Sequence, residues 1–342
     1  MKLKRIILVV LLVLSLTLVA ILFVPKHYDV LPFSPRAGTQ YWSLSTGSQI
    51  GYFKMEAEGE AKESPIIYLH GGPGGMISDA IIESLRPLSE QGHDIYFYDQ
   101  IGSGHSSRLA DISEYSVQRH QEDLQEIITI INAPQVILYG HSWGSCLAIN
   151  YLQKQEDRVE KIIITGPGPI LPINRAVSTE LAPDSLALRI PQFSNAEANA
   201  KVYNWRSRWI EKWAYHLNVK LGSDAEVDDF LALLNQELSK STACFGRKNE
   251  KSYPGGSGYY SHIMTLKSFA EQADQRSHLA KLNTPILILR GDCDNQKWGF
   301  AKEYLDLFSQ AQLRIIKDAG HNPLENQSEY CLALMAEFLV NP

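Results

Sequence analysis

The serine at position 142 has the sequence surroundings of an enzymatic nucleophile. It lies in Gly140-x-Ser142-x-Gly144, between an apolar run and a helix-like stretch over Cys146–Gln155. This context is typical of a nucleophile elbow, a tight strand-to-helix turn that exposes the serine hydroxyl. The two glycines are expected there because the turn leaves no room for side chains beside the serine. The alternative is an ordinary Gly/Ser turn between a strand and a helix.

A serine hydroxyl attacks a carbonyl carbon only when a base removes its proton. In folds with a nucleophile elbow, the acid and then the histidine follow the serine along the chain. His321 is the only one of ten histidines in a loop between a late strand, Leu313–Ile316, and the final helix. Asp292 and Asp294 both follow the strand Ile286–Leu289, and their spacing leaves the choice of the acid open. These residue types together predict acyl transfer through a covalent intermediate.

The developing oxyanion of such a reaction needs backbone N–H donors held in place. Trp143, the residue after the serine, is predicted to supply one donor. Gly72, in the glycine-rich loop after the early strand Ile66–Leu69, is predicted to supply the other. Three histidines end earlier strands, and we interpret them as structural or pocket-lining residues: His70, His105 and His141.

The candidate catalytic residues follow short apolar runs, and these runs alternate with helical stretches. Continuously apolar runs are typical of parallel strands buried on both faces, and their alternation with helices predicts an α/β sheet with right-handed crossovers. Residues 41–56 have the pattern of an antiparallel hairpin. The predicted parallel strands are Ile66–Leu69, Ile95–Tyr98, Val136–Tyr139, Ile162–Ile164, Ile286–Leu289 and Leu313–Ile316, and the clearest helices are Val117–Ile131 and Glu325–Val340.

The alternation is interrupted between residues 167 and 282, where no comparable strand occurs. We predict a mostly helical cap there, inserted into an α/β core formed by residues 26–166 and 283–342. Within the cap, tryptophans recur at four-residue intervals, which puts them on one stripe of a helix. This stripe, Trp205, Trp209 and Trp213, is interpreted as packing against the core, and the alternative is that it lines an apolar pocket.

The first 25 residues predict a membrane anchor. Three cations precede a run from Ile6 to Val24 that has no charged residue and no polar face. A helix of that length is close to the thickness of the hydrocarbon core. The basic flank predicts a cytoplasmic amino terminus and a catalytic domain outside the cytoplasm. A cleavable signal peptide, which would release a secreted protein, is the competing interpretation, although the run is longer than usual and lacks a small-x-small site.

Composition narrows the remaining function classes. The chain of 342 residues has 32 Lys+Arg and 38 Asp+Glu, a formal net charge of −6, so nucleic-acid binding is not expected. Without the three cations near the amino terminus the balance falls to −9, with 29 basic against 38 acidic side chains. The cysteines have no metal-site spacing and are interpreted as packing residues, while the sequence leaves open whether any two of them pair: Cys146, Cys244, Cys293 and Cys331. Neither a metal nor an organic cofactor is expected, and the oligomeric state is left open.

Three motifs together resemble the prolyl aminopeptidase (proline iminopeptidase) family of α/β-hydrolases. They are His70-Gly71-Gly72-Pro73-Gly74, Asp99-Gln100-x-Gly102-x-Gly104-x-Ser106 and Gly140-x-Ser142-Trp143-Gly144-Ser145. The resemblance runs from about residue 41 to residue 340. It implies an α/β-hydrolase fold with a helical cap, Asp294 rather than Asp292 as the acid, and His321 as the base. It also implies that cap carboxylates bind the free amino group of the substrate.

The chain departs from the family pattern at three points. Ile101 and Asp292 stand where the family usually has arginine, and the cap motif W-x-x-W-E is matched only approximately by Trp205, Trp209 and Glu211. Glu211 is therefore the candidate for binding the substrate amine. A solvated helix carboxylate without a role in binding is the alternative for this residue.

These observations predict a membrane-anchored serine hydrolase, with an aminopeptidase as the leading hypothesis. It would release an N-terminal proline or small apolar residue from short peptides, because a cap excludes folded substrates. The main alternative is an esterase, lactonase or amidase that acts on a small molecule without a free amine, since fold does not fix the substrate. A non-enzymatic binding module is the third hypothesis, but the sequence retains a residue for every catalytic role.

Overall fold

The structure is a computed structural model that describes residues 2–244 and 253–340. Met1, residues 245–252 and residues 341–342 belong to the predicted anchor, cap and core ranges and lie outside the described residues. The described strands form one mostly parallel sheet in the order β1-β2-β4-β3-β5-β6-β7-β8. They are β1 Gln40–Ser43, β2 Gln49–Met55, β3 Ile66–Leu69, β4 Ile95–Tyr98, β5 Val136–His141, β6 Val159–Thr165, β7 Ile286–Gly291 and β8 Ala311–Ile316.

The predicted strands and the hairpin are confirmed. β1 and β2 pair antiparallel, β2 pairs antiparallel with β4, and the pairs from β4 through β8 are parallel. All residues of β3 and β7 are buried, as expected for central strands with helices on both faces. β8 lies at the edge of the sheet, and its side chains alternate between half-buried and exposed up to Ile315, whereas Ile316 is buried. The carboxyl ends of β5 and β7 therefore lie at one edge of the same sheet, where their loops can meet.

Helices cover both faces of the sheet and form two apolar clusters with it. One cluster includes Leu124 and Leu147, and the other includes Leu85 and Met335. The α-helices of the described chain are α1 Lys2–Phe23, α2 Asp79–Ser89, α3 Val117–Ile131, α4 Trp143–Leu152, α5 Asn195–Val202, α6 Trp205–Leu217, α7 Asp224–Thr242, α8 Tyr259–Lys267, α9 Arg276–Leu279, α10 Trp298–Leu307, α11 Pro323–Asn326 and α12 Ser328–Val340. Short 3₁₀ turns lie at Ile112–Glu114, Glu156–Arg158, Val177–Thr179, Asp184–Leu186 and Ser268–Glu271.

The final helix differs from its prediction. Residues 325–340 were expected to form one helix, but it is interrupted at Gln327 between α11 and α12. The side-chain oxygen of Asn326 accepts the N–H of Gly320, 2.9 Å away, and so holds the end of α11 against the loop that carries His321. The end of α11 at Asn326 thus helps to position the loop that carries His321.

Residues 167–282 hold five helices, α5 to α9, and no strand of the sheet among their described residues. The expected packing of the tryptophan stripe is wrong for two of its members, since Trp205 is 50% exposed and Trp209 is 44% exposed. The side of α6 that packs inward contains Arg206, Ser207, Ile210 and Ala214. Because a helix turns by about 100° per residue, a stripe at positions 205 and 209 faces away from that side.

The α1 helix is long and apolar enough to cross a membrane, judged by its length and composition. Nearly all of its described side chains are exposed, and Leu22 is half-buried. The segment that follows contacts the helical interval over residues 167–282. There Tyr28 is buried against Phe230, with 5.5 Å between the ring centroids, and Leu31 pairs with Pro254.

Candidate active site

Ser142 lies on a sharp turn between β5 and α4. Its φ of 55° and ψ of −118° are unusual for a residue with a side chain. Such a backbone persists only where the surroundings impose it, and it is a feature of nucleophile elbows. A Cβ at Gly144 would lie 2.0 Å from the carbonyl oxygen of Leu69, and one at Gly140 would lie 2.6 Å from the carbonyl carbon of Gly144. Both glycines are therefore required by close backbone approach, as the sequence predicts.

A series of hydrogen bonds joins Ser142, His321 and Asp294. The Oγ of Ser142 lies 2.9 Å from Nε2 of His321, and Nδ1 of His321 lies 2.8 Å from Oδ1 of Asp294. Asp294 and His321 are buried, whereas Ser142 is half-buried at the surface of the site. This is the geometry that a base needs to take the serine proton while a carboxylate holds the imidazole in one orientation.

Arg290 and the backbone stabilise the charge on Asp294. Burial alone raises the pKa of Asp294, but His321, Arg290 and the N–H of Gln296 outweigh it and hold that pKa below its usual value. Nη1 of Arg290 lies 3.0 Å from Oδ2, and the Gln296 N–H donates to Oδ1 over 2.9 Å. The acid is thus kept as a carboxylate without contact with solvent.

Asp292, the alternative candidate for the acid, forms an ion pair with Arg189 and does not contact His321. Its carboxylate pairs with the guanidinium of Arg189, which lies 2.8 Å away and also contacts Asp318. Arg189 comes from the interval between β6 and α5, so this ion pair links that interval to the loop after β7. The structure therefore brings Asp294, and not Asp292, to His321.

The glycine-rich loop after β3 lies directly beside Ser142. A Cβ at Gly71 would lie 3.1 Å from the Cβ of Ser142. Neither the N–H of Gly72 nor that of Trp143 has a hydrogen-bond acceptor among the described residues. Both donors are therefore available to bind an oxyanion. Their assignment to this role remains a prediction.

The Asp99-Gln100 motif holds the glycine loop and the elbow together. The amide of Gln100 donates to the carbonyl oxygen of His70 and accepts from Nε1 of Trp143, at 3.0 and 2.7 Å. Nε2 of His70 accepts the N–H of Gln100 over 2.9 Å, and burial lowers the pKa of this imidazole. The carboxylate of Asp99 pairs with Nδ1 of His105 at 2.7 Å. The polar side chains that follow the neighbouring strands β3 and β4 therefore hold the glycine-rich loop and the turn at Ser142 in place.

Sequence reasoning missed the contribution of the end of α7. The carbonyl oxygen of Thr242 accepts the backbone N–H of His321 over 2.9 Å. Two residues later, Cys244 forms a disulfide with Cys293, the residue before Asp294. Two cysteines are thus not simple packing residues, which corrects the prediction for this pair, whereas Cys146 and Cys331 are buried free thiols. The only sequence signal was the position of Cys293 within the acid loop.

Glu211 lies half-buried on α6. Burial raises its pKa, while a hydrogen bond from Tyr203 and the nearby Arg208 and Lys212 oppose that change. In the described chain no hydrogen bond or ion pair joins Glu211 to Ser142 or His321. Its role in binding an amine remains a prediction.

One group of side chains has metal-ligand atoms close together in the described residues. The atoms of Cys244, Asp292 and Cys293 lie within 4.8 Å of one another. The two sulfur atoms are bonded to each other in the disulfide, and Asp292 is paired with Arg189. This group therefore offers no thiolate for a metal ion.

Comparison with known proteins agrees with this architecture. The sequence profile described as alpha/beta hydrolase fold matches residues 64–327. A proline iminopeptidase of Heyndrickxia coagulans is 24% identical over 300 residues, which cover 86% of this chain and 96% of the relative. This similarity confirms the resemblance to proline iminopeptidases that the three motifs indicate.

Solved structures share the fold at low sequence identity. The crystal structure of a proline iminopeptidase from Mycobacterium smegmatis has a TM-score of 0.56 and 19% identity, over 88% of this chain and 97% of that one. An alpha/beta hydrolase fold protein from Chitinophaga pinensis has a TM-score of 0.58 and 18% identity, over 90% and 98%. On the profile match and the fold, this chain belongs to the α/β hydrolase fold family.

Proposed function

We propose that this protein is a serine hydrolase that works through an acyl-enzyme. The observation that carries the proposal is the hydrogen-bonded series from Ser142 through His321 to Asp294. Oγ of Ser142 attacks the substrate carbonyl while Nε2 of His321 takes its proton, and the new C–O bond leaves a tetrahedral oxyanion. The N–H groups of Gly72 and Trp143 bind that oxyanion.

The second half of the reaction regenerates the serine. His321 returns its proton to the leaving amine or alcohol, and the bond to the leaving group breaks. Water then attacks the acyl group with His321 as the base, which releases the acid and restores the hydroxyl of Ser142. Asp294 stays ionised throughout and stabilises the imidazolium that forms at each step.

We further propose that the substrate is a short peptide or aminoacyl compound with a free amino group, from which an N-terminal proline or small apolar residue is released. The curated relatives support this class, because several proline iminopeptidases match most of the chain at about one quarter identity. The helical interval over residues 167–282 supports a restriction to short substrates.

The substrate class is tested with a panel of compounds. The full chain in detergent is given prolyl and alanyl arylamides, the same arylamides acylated on the amine, and an aryl acetate, with Ser142→Ala as the blank. We expect serine-dependent cleavage of the free-amine arylamides only. Cleavage of the acetate alone, or equal cleavage of blocked and free amines, would contradict the aminopeptidase and favour the esterase-like alternative.

Glu211 is the candidate partner of the substrate ammonium group. We expect Glu211→Gln to raise KM for the free-amine arylamide about 10- to 100-fold, because a hydrogen bond to a charged group contributes about 1.5–3 kcal/mol. Glu237→Gln is the matched control, since Glu237 lies on α7 and pairs with two lysines. An unchanged KM in the Glu211 variant would assign the ammonium group to another residue.

We also propose that α1 anchors the protein in a membrane, with the catalytic domain outside the cytoplasm. The helix has 22 residues, a length of about 33 Å, and three cations lie at its amino-terminal end. The disulfide between Cys244 and Cys293 supports this orientation, because disulfides persist in oxidising compartments.

A further inference from the structure

The outward side of α6 is rich in aromatic and cationic side chains. Apart from Leu217 at the end of the helix, the exposed residues of α6 fall within one third of its circumference, given a turn of about 100° per residue. We call this the α6 outer face, and it consists of Trp205, Arg208, Trp209, Lys212, Tyr215 and His216. It contains three large aromatic side chains, two fixed cations and no acid.

Several of these side chains are paired with each other or with close neighbours. The ammonium group of Lys212 lies 5.5 Å from the ring centre of Trp209, and Arg208 lies 5.4 Å from that of Tyr203. The ammonium group of Lys267 lies 5.4 Å from the ring of Tyr215. Aromatic rings with cations beside them are typical of residues at the boundary between lipid headgroups and hydrocarbon.

The position of α6 relative to α1 is the second observation. The guanidinium of Arg206 donates to the carbonyl oxygen of Leu22, one residue before the end of α1. Its other nitrogens bind the carboxylate of Glu226 at 2.9 Å, and that carboxylate also accepts the N–H of Lys26. Arg206 and Glu226 are both buried. Together they form a buried polar contact that connects the end of α1 to the beginnings of α6 and α7.

This contact fixes the position of the α6 outer face relative to the end of α1. If α1 spans the bilayer, Leu22 lies near the level where the chain leaves the hydrocarbon, and Trp205 is the neighbour of the arginine that holds Leu22. The segment after α1 is also held against α6, because Tyr28 is buried and Nδ2 of Asn204 donates to its hydroxyl over 3.2 Å. The beginning of α6 therefore lies at the level of the lipid headgroups.

We propose that the α6 outer face rests on the membrane that holds α1, with Trp205 and Trp209 in the interface and with Arg208 and Lys212 on anionic headgroups. Charge supports this partner, because the chain beyond the anchor is acidic overall and this face is cationic. The cap would then be held against the bilayer rather than free to rotate above it. This proposal rests on the anchoring of α1 and is independent of the substrate class.

Fluorescence quenching by lipids tests the proposal on the full chain. All six tryptophans lie outside α1, so their fluorescence reports on the domain alone. The chain is reconstituted in phosphatidylcholine–phosphatidylglycerol vesicles whose acyl chains carry bromine close to the headgroup. We expect quenching of the wild type, and we expect Trp205→Phe/Trp209→Phe to lose at least half of the quenched signal.

Trp213→Phe is the matched control, because Trp213 lies on the same helix but is half-buried and is not part of the α6 outer face. We expect this variant to keep the quenching. Equal quenching in the double variant and the wild type, or none in either, would overturn the proposed contact while the chain still floats with the vesicles. Failure of the full chain to float would overturn the anchoring and this proposal with it. Neither result bears on which substrate is cleaved.

Discussion

At the scale of single residues, the account depends on which carboxylate orients His321. Asp294 contacts its Nδ1 at 2.8 Å and is buried beside Arg290, whereas Asp292 pairs with Arg189. The two aspartates are two residues apart, so a variant of one is a close control for the other. Their different partners predict different consequences for catalysis.

We expect Asp294→Asn to lower kcat by about 10³- to 10⁴-fold, because the amide cannot stabilise the imidazolium or fix its tautomer. KM should change little, since the variant leaves the rest of the site in place. We expect Asp292→Asn to lower kcat far less, through a loosened Arg189. Steady-state kinetics on the best substrate of the panel measure both, and equal losses would contradict the assignment of the acid.

The sequence predicted the nucleophile and the base because each has a local signature. Ser142 lies in a glycine-flanked turn, and His321 follows the last strand of the chain. It did not separate Asp292 from Asp294, because both follow β7 within three residues and only the resemblance to a family favoured one. The contacts of Arg290 and Thr242 were missed, since they depend on how loops approach each other across the fold.

At the scale of elements, the end of α7 is joined to both catalytic loops. Thr242 accepts the N–H of His321, and Cys244 is bonded to the residue before Asp294. These contacts, together with the ion pair of Arg189 with Asp292, link the helical interval over residues 167–282 to the loops that carry Asp294 and His321.

We expect reduction of the Cys244–Cys293 disulfide to destabilise the protein by about 2–4 kcal/mol, as is usual for a bridge that closes a loop of this size. The sequence separation is 49 residues. Thermal unfolding with and without reductant measures the effect, and turnover should fall in parallel. The Cys244→Ser/Cys293→Ser variant should be as unstable as the reduced wild type and insensitive to reductant. A wild type with four alkylatable thiols after unfolding without reductant would contradict the bridge.

Strands were easier to predict than the orientation of helices. The central strands are apolar throughout because both of their faces are covered, and this signal is local. The stripe of tryptophans on α6 correctly defined one face of a helix but not the partner of that face. Spacing alone carries no information on whether an aromatic stripe meets a protein core or another surface.

At the scale of the whole molecule, the location that we propose for the hydrolase domain depends on α1. Its apolar surface is exposed in the described chain, and Arg206 contacts the helix through the backbone carbonyl oxygen of Leu22. A helix of this kind is stable in a lipid bilayer and would cause aggregation in water.

We expect the full chain to remain in the membrane fraction after extraction with alkaline carbonate, since a spanning helix inserts in an effectively irreversible way. A chain that begins at Lys26 should be extracted completely and serves as the control. Mass spectrometry of the membrane-bound protein should find residues 2–23 intact. Recovery of a shortened chain in the soluble fraction would contradict the anchor and favour a cleaved signal peptide.

The central claim is that Ser142 is a nucleophile activated by His321, and covalent labelling tests it most directly. The folded full chain is incubated with a fluorophosphonate, and the modified peptide is identified by mass spectrometry. The account predicts a single adduct on Ser142, absent from Ser142→Ala and formed at least a hundredfold more slowly in His321→Gln. An adduct on another residue, or a wild type that reacts no faster than the His321 variant, would contradict it.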